Sequence, residues 1–362
     1  MGKSKTPVDY ASAGVDISAG NLAVEKIKGY AASTFNANVL AGLGSFASFY
    51  DLGPILREYR HPVLVQSTDG VGTKIAVVAM AKDFSTIGRD LLSACANDIV
   101  VHGAKPLTFL DYIANDRLDP DIVAEIVKGM AAGCREEGIC LVGGETAEMP
   151  GTYLPGEHDL VGLITGVVER DKIIDGSTVA VGDIILGVAS SGLHTNGYSL
   201  ARKVLFEIGG LSLDTSIPNE PGTTLRTALC EPHANYTSGV LKLLEQGAPI
   251  KSMAHITGGG LLENVPRVLP KEMSACFDPA SWPRQGIFTL IQELGLVSEH
   301  EMYRTFNMGI GLTIVVAPEA AEETLRLMKT CFSLPVRRIG KVVAGDGATL
   351  IRGLNTVEND AR

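Results

Sequence analysis

The residues with the greatest chemical capacity lie in a few short glycine-rich stretches. The first is "STDGVGTK", residues 67–74. Asp69 heads a turn containing Gly70 and Gly72, Thr73 follows, and Lys74 closes it. Glycines adopt left-handed backbone conformations and let a ligand approach the chain closely. Successive N–H groups in such a turn form a concave anion site, and Lys74 adds positive charge. The spacing is not that of the phosphate loop G-x-x-x-x-G-K-[ST]. Asp69 would repel a phosphate unless a divalent cation bridged the two, so the combination predicts a metal–phosphate site. Mg²⁺ suits it, since that ion takes one or two carboxylates together with phosphate oxygens and water. A plain β-hairpin fits the same letters, "DG" being a common turn pair.

Further stretches offer companions. In "RDLLSACANDIV", helical spacing of about 100° per residue brings Asp90 and Asn97 nearly into line and leaves Asp98 about 80° away. Three oxygen donors then share one broad face, with a solvated helix surface as the alternative. Ala94, Cys95, Ala96, Ile99 and Val100 surround them, and charge in so apolar a segment needs a partner. "LVGGETAEMPG" reads as a buried strand ending at Gly143-Gly144, with Glu145 at the strand-to-loop edge. "VASSGLHTNGYSL" reads as a strand ending near Ser190, protruding His194 and Asn196, and a helix from about Gly197. His194 suits proton transfer or substrate hydrogen bonding. The other six histidines read as loop residues in water. In "HITGGGLLENVPRVLP", Thr257, Gly258, Gly259 and Gly260 precede a short helical turn whose free N–H groups could bind an anion. "MYRTFNMGIGL" sets Arg304, Thr305 and Asn307 before a strand. Zinc spacing, a Ser-His-Asp order and G-x-G-x-x-G are all missing. The residues alone point to ATP–Mg²⁺ chemistry without a Walker loop.

Elements of two kinds must position these groups. The chain has 362 residues, 45% hydrophobic and 20% charged, an ordinary globular balance and enough for two domains. Its formal charge of −10 disfavours nucleic acid and anionic membranes as partners. No apolar run reaches the roughly 18 residues of a membrane span, and no apolar leader opens the sequence. Met1-Gly2 with Thr6 matches a bare myristoylation pattern. Six scattered cysteines without C-x-x-C predict free thiols in a reducing cytosol. Helical and strand signals alternate: a helix over 16–33 with Leu22, Val24 and Ile27 apolar, a strand over 63–67, a helix near 86–104, and a strand over 107–114. Asp119 and Pro120 then mark a helix start, followed by strands at 139–144 and 158–169. A polar, turn-rich stretch over 169–183 places the domain boundary at 172/173. The second half repeats the pattern, with strands at 183–190 and 309–317 and helices near 197–210, 233–247 and 318–330. The reading is α/β (α+β), two domains with mixed sheets and packed helices.

Taken together, "YASAGVDISAGN", "STDGVGTK", "GGETAEMPG", "SSGLHTNGYSL", "HITGGGLLENVPRVLP" and "MYRTFNMGIG" resemble the phosphoribosylformylglycinamidine cyclo-ligase (AIR synthetase) family, in the expected order over residues 10–311. The resemblance implies a cytoplasmic homodimer whose N-terminal domains pair into a strand barrel, with ATP in a cleft near that interface. It implies conversion of formylglycinamidine ribonucleotide and ATP to aminoimidazole ribonucleotide, ADP and phosphate. On that basis Asp69, Asp90 and Asp98 are assigned to Mg²⁺, and Lys28 and Lys74 to phosphate charge. Gly70, Gly72 and Thr73 cradle phosphate, while Glu145, Asn196, Thr257, Gly258, Gly259 and Gly260 contact substrate or ATP. Asp69 and Lys28 carry catalysis with His194, the candidate for proton handling.

Rival readings are a sister ATP-dependent enzyme of the same fold, of selenophosphate synthetase, thiamine-phosphate kinase or hydrogenase-maturation type, and a non-catalytic nucleotide-binding subunit. The first type carries a reactive residue near its N-terminus, whereas the first cysteine here is Cys95. The kinase lacks "GGETAEMPG". A binding-only relative has no need of carboxylates at 69, 90 and 98.

Overall fold

The computed structural model describes residues 10–354; the Met1-Gly2 pattern lies outside them. The strands are β1 Val39–Ala41, β2 Phe49–Tyr50, β3 Pro62–Gly70, β4 Lys105–Asn115, β5 Cys140–Glu148 and β6 His158–Glu169, then β7 Ile184–Ala189, β8 Ile250–His255, β9 Met273–Phe277, β10 Ile310–Val316, β11 Val336–Ala344 and β12 Thr349–Ile351. The helices are α1 Ile17–Ala32, α2 Gly53–Leu56, α3 Lys74–Ala81, α4 Ile87–Val100, α5 Pro120–Glu137 and α6 Tyr198–Arg202, then α7 Leu225–Cys230, α8 Thr237–Glu245, α9 Gly260–Asn264, α10 Gly286–Gly295, α11 Glu299–Thr305 and α12 Ala321–Cys331. A single π-helical turn, Lys203–Ile208, continues α6.

Two mixed sheets organise the chain. The first half builds a four-stranded sheet in the order β3-β6-β4-β5, antiparallel except for the parallel β4–β5 pair. The second half builds a six-stranded sheet, β12-β9-β11-β7-β10-β8, with only β12–β9 parallel. Each has its own apolar core. Leu91, Cys95, Ile126 and Met130 of α4 and α5 pack with Phe109, Ile113 and Ile164 of the first sheet. Ile185, Phe277, Ile310 and Ile339 of the second sheet pack with Tyr198, Phe288 and Tyr303.

Local chemistry explains the better-defined elements. The Asp119 side chain accepts from the N–H groups of Asp121 and Ile122, Pro120 opens α5, and Gly138 ends it at φ +68°. That is the expected pairing of a capped, proline-led start with a left-handed glycine stop. α1 differs from its sequence pattern. Its buried positions are Ala23, Ile27 and Ala31, and Leu22 and Val24 are exposed. Small side chains suffice because α1 lies close on α5 and β5. β5 also overruns its expected end: parallel pairing with β4 carries it past Gly144 to Glu148, so Glu145 lies within a strand. Along β3 exposure alternates, and Leu64 on that strand and Leu163 on β6 remain exposed. All six cysteines are unpaired. Among the described residues no helix is long and apolar enough to cross a membrane.

Candidate functional site

The opening motif is a strand–turn–helix and not a hairpin. β3 ends at Gly70, buried Val71 pins the turn, Gly72 sits at φ +52°, and α3 begins at Lys74. Asp69 is half-buried, its Oδ1 accepting the Gly70 N–H at 2.7 Å. Burial raises the Asp69 carboxyl above its ordinary range, the Gly70 N–H draws it down, and neighbouring Asp98 raises it again. Asp98 arrives from α4. Its Oδ2 accepts from Ser67 Oγ at 3.0 Å and its Oδ1 from His255 Nδ1 at 2.9 Å. Among the described residues neither carboxylate pairs with a lysine or arginine; His255 alone faces Asp98 as an ion-pair partner. Two adjacent carboxylates and a hydroxyl form an all-oxygen donor set with uncompensated negative charge. That chemistry fits a hard divalent cation such as Mg²⁺.

Two loops of the second half close over this corner. Thr73 Oγ lies 3.0 Å from Ser199 Oγ. A Cβ on Gly72 would stand 3.5 Å from the Thr195 carbonyl, and one on Gly258 3.3 Å from Asn196 Oδ1. The structure therefore brings Asp69, Gly70, Gly72, Thr73, Asp98, Asn196 and Gly258 together. The loop of Thr257, Gly258, Gly259 and Gly260 is held from within. Asn264 Nδ2 donates to the carbonyls of Thr257, Gly258 and Gly260 at 3.2, 3.1 and 2.8 Å. Its N–H groups are not all free, because Gly260 donates to the Thr257 carbonyl. The stretch around "RTFNMG" braces these loops. A Cβ on Gly260 would fall 2.0 Å from the Tyr303 carbonyl. Asn307 accepts from Ser190 Oγ and donates to the Gly192 carbonyl.

Other expected site residues lie elsewhere. Lys74 and Asp90 form an ion pair of 2.8 Å with both side chains wholly buried. Lys74 Nζ also donates to the Glu231 carbonyl at 2.6 Å, and Asp90 Oδ1 accepts the His233 N–H at 2.6 Å. Burial pushes the Asp90 carboxyl up, and Lys74 and the His233 N–H oppose that. The two groups are spent on each other, so neither the Mg²⁺ assignment of Asp90 nor the phosphate assignment of Lys74 is met in this geometry. Asn97 likewise accepts the Tyr236 N–H and donates to the Ala234 carbonyl. The polar face of α4 thus splits: Asp90 and Asn97 hold residues 231–236 of the second half, and only Asp98 reaches the site.

His194 does not protrude. It is 1% exposed at φ +62°, and its ring stacks on His233 with centroids 4.0 Å apart. Burial holds its pKa well below the ordinary histidine value. Its Nε2 accepts the Ser191 N–H at 3.2 Å, so the ring proton belongs on Nδ1, a buried atom without a partner. A neutral ring enclosed on all sides suits a fixed donor better than a proton carrier.

Glu145 belongs to a second region. Register sets Asp69, Gly162, Asp111 and Gly144 in one row across the sheet, three strand spacings or about 14 Å from end to end. At the far end, a cavity of about 540 Å³ opens between α1 and β5, lined by Ile17, Val24, Phe46, Asp111 and Glu145 among others. Burial, with Glu145 adding, pushes the Asp111 carboxyl up to about 7. Lys28 is exposed on α1 and does not line this cavity. Sequence reasoning missed Ser67, Asp111, His233 and His255. Of these Ser67, the first residue of "STDGVGTK", and His255, two residues before Thr257, lay in motifs already singled out.

Two mixed-sheet halves meeting over a carboxylate-headed strand–turn–helix define a class. The family "AIR synthase related protein, N-terminal domain" matches residues 55–168, and its C-terminal counterpart matches 180–353. The fold is shared with thiamine-monophosphate kinase from Stenotrophomonas maltophilia (TM-score 0.68, 19% identity, 92% of this chain and 96% of that one). It is shared also with hydrogenase maturation protein HypE in complex with ATP (TM-score 0.64, 21% identity, 89% and 88%). Within that class the chain belongs to the phosphoribosylformylglycinamidine cyclo-ligase family. It is 50% identical over 322 residues to the cyclo-ligase of Trichlorobacter lovleyi, covering 89% of this chain and 91% of that protein. With the cyclo-ligase of Caldanaerobacter subterraneus subsp. tengcongensis it shares 46% identity over 346 residues, 94% and 99% of the two.

Proposed function

We propose that this protein is an ATP-dependent ligase of purine biosynthesis that closes formylglycinamidine ribonucleotide to 5-aminoimidazole ribonucleotide, releasing ADP and phosphate. The observation that carries this reading is the corner where Asp69, the 70–73 turn and Asp98 meet the loops of the second half, in a chain half identical to cyclo-ligases over nine-tenths of its length.

An amide carbonyl is a poor electrophile because its oxygen does not leave. Transfer of the γ-phosphoryl group to the formamide oxygen makes an iminophosphate. The amidine nitrogen then attacks the activated carbon, the carbon–oxygen bond breaks, phosphate departs with its oxygen, and the nitrogen sheds a proton. Such chemistry asks the protein mostly for positioning and charge neutralisation. Asp69 and Asp98 would hold Mg²⁺, which supplies neutralisation of the ATP phosphates when bound. The backbone of Gly70, Gly72 and Thr73 faces the same corner and would cradle a phosphate. Asn196 and the loop of Thr257, Gly258 and Gly259 would bound the substrate side. His194, neutral and enclosed, would hold the 190–196 loop in place by accepting the Ser191 N–H and stacking on His233. The α1–β5 cavity, with Glu145 in its wall and Lys28 on the helix beside it, would take the nucleoside end of ATP.

The division after residue 172, a cytoplasmic location and a homodimer complete the proposal. The exposed side of the first sheet, with Leu64 and Leu163 on it, is the surface on which a second copy would complete a barrel. The test is to supply ATP, Mg²⁺ and formylglycinamidine ribonucleotide and assay the aromatic amine of the product together with ADP. Binding of ATP without substrate-dependent ADP release would favour a non-catalytic subunit instead.

A further inference from the structure

Three histidines of the second half, His194, His233 and His255, gather beneath the site with ring nitrogens within 4.8 Å of one another. They do not converge on one ion. The His194 and His233 rings lie nearly parallel, 18° apart and stacked at 4.0 Å, and in-plane lone pairs of stacked rings do not aim at a common point. His194 Nε2 is moreover already an acceptor. His233 and His255 instead form a hydrogen-bonded chain that ends on Asp98, with His194 stacked on His233.

The polarity of that chain follows from its ends. The Asp98 carboxylate only accepts, so His255 Nδ1 carries a proton. With one proton per ring, His255 Nε2 accepts from His233 Nε2, 3.0 Å away. His233 Nδ1 then accepts from the Thr195 hydroxyl at 3.3 Å. The His233 main chain is fixed too, since its N–H donates to Asp90. The His255 side chain is 2% exposed and that of Asp98 is 33% exposed. His255 therefore has no access to a ligand and acts only through Asp98. Its N–H fixes Oδ1, as Ser67 fixes Oδ2, and each oxygen keeps a lone pair for a cation.

We propose that His255, steadied by His233, is a positioning residue that sets the orientation of the Asp98 carboxylate, so that docking of the second half completes the cation site of the first. This rests on the reading of Asp98 as a Mg²⁺ ligand. Partners behind a ligand typically govern affinity by 10- to 100-fold.

The test uses the full-length protein with a non-hydrolysable ATP analogue and Mn²⁺ as an EPR-visible stand-in for Mg²⁺. His255→Leu is expected to weaken Mn²⁺ binding about 10- to 100-fold and to raise the half-saturating Mg²⁺ in turnover by the same factor. Most of kcat should return at saturating metal. His255→Asn places an amide N–H where Nδ1–H stood and should recover most of the affinity. His255→Gln, whose amide mimics the Nε2 side, should not. The Asn/Gln pair keeps the test decisive if the leucine variant fails to fold. His233→Leu should give a smaller loss in the same direction. If Asp98→Asn abolishes Mn²⁺ binding while the folded His255 variants all bind as the unaltered protein does, the positioning role is wrong and the metal reading stands. If Asp98→Asn also leaves Mn²⁺ binding unchanged, both fall.

Discussion

Lys74→Met is the most telling single change. The lysine comes from the turn that faces the site, yet its ammonium is wholly buried against an equally buried Asp90. Methionine keeps most of the volume and removes the charge. Asp90 Oδ2 then faces apolar surroundings, and the Glu231 carbonyl loses its donor. Breaking a buried pair from one side costs about 3–5 kcal/mol, or about 6–20 °C in Tm for a domain of roughly 150–250 residues. The double variant Lys74→Met/Asp90→Asn keeps an acceptor for the His233 N–H and removes the stranded charge. It should recover at least half of the loss, which is the signature of coupled neighbours. Calorimetry on the single and double variants, paired with ATP-dependence of turnover, reads both quantities. A Lys74→Met protein that melts with the unaltered one but has lost ATP affinity would refute the reasoning and return the lysine to phosphate binding.

Three further outcomes follow from the same geometry. Burial holds the pKa of His194 and His233 well below the ordinary value, so the folded state keeps both neutral while the unfolded chain protonates them below about pH 6.5. Their contribution is present above that pH and lost as pH falls, at up to about 1.4 kcal/mol per unit for each ring. Urea midpoints between pH 7.5 and 5 should fall accordingly, and His233→Asn should flatten the fall. Gly260→Ala forces a Cβ to within 2.0 Å of the Tyr303 carbonyl; displacement of the 257–260 loop should raise KM for the ribonucleotide and lower Tm in calorimetry. Asp69→Asn should cut turnover sharply with an unchanged far-UV spectrum and melt, and steady-state rates equal to those of the unaltered protein would remove Asp69 from the metal site.

Much of the architecture was legible because local chemistry and burial agree there. Asp119 and Pro120 marked the start of α5 unaided, and a buried apolar run marked β6. α1 misled because its buried stripe is Ala23, Ile27 and Ala31, small residues whose burial depends on the close approach of α5. β5 misled because its final residues are held by the β4 ladder and not by apolar character. The site was half legible. Asp69 and Asp98 announce themselves as carboxylates in apolar or glycine-rich settings. Helical angle alone could not tell Asp98 from Asp90 and Asn97, since all three lie on one face and what separates them is residues 231–236, more than 130 positions away. His233 was invisible for the same reason, and His255, though it heads a quoted motif, gave no hint of its reach to Asp98, as a histidine's neighbours across a domain junction leave no local mark.

The split use of the α4 face bears on how this protein can be dissected. Lys74, Asp90 and Asn97 each bond to residues 231–236 of the second half, and His255 meets Asp98 across the same seam. The first half expressed alone would present a bare ion pair, an unfilled amide and a loosened carboxylate to solvent. The two sheets look like separable modules, but the seam makes them one unit of inheritance: a chimaera joining this first half to the second half of a distant fold relative needs residues 231–236 and His255 carried across with it.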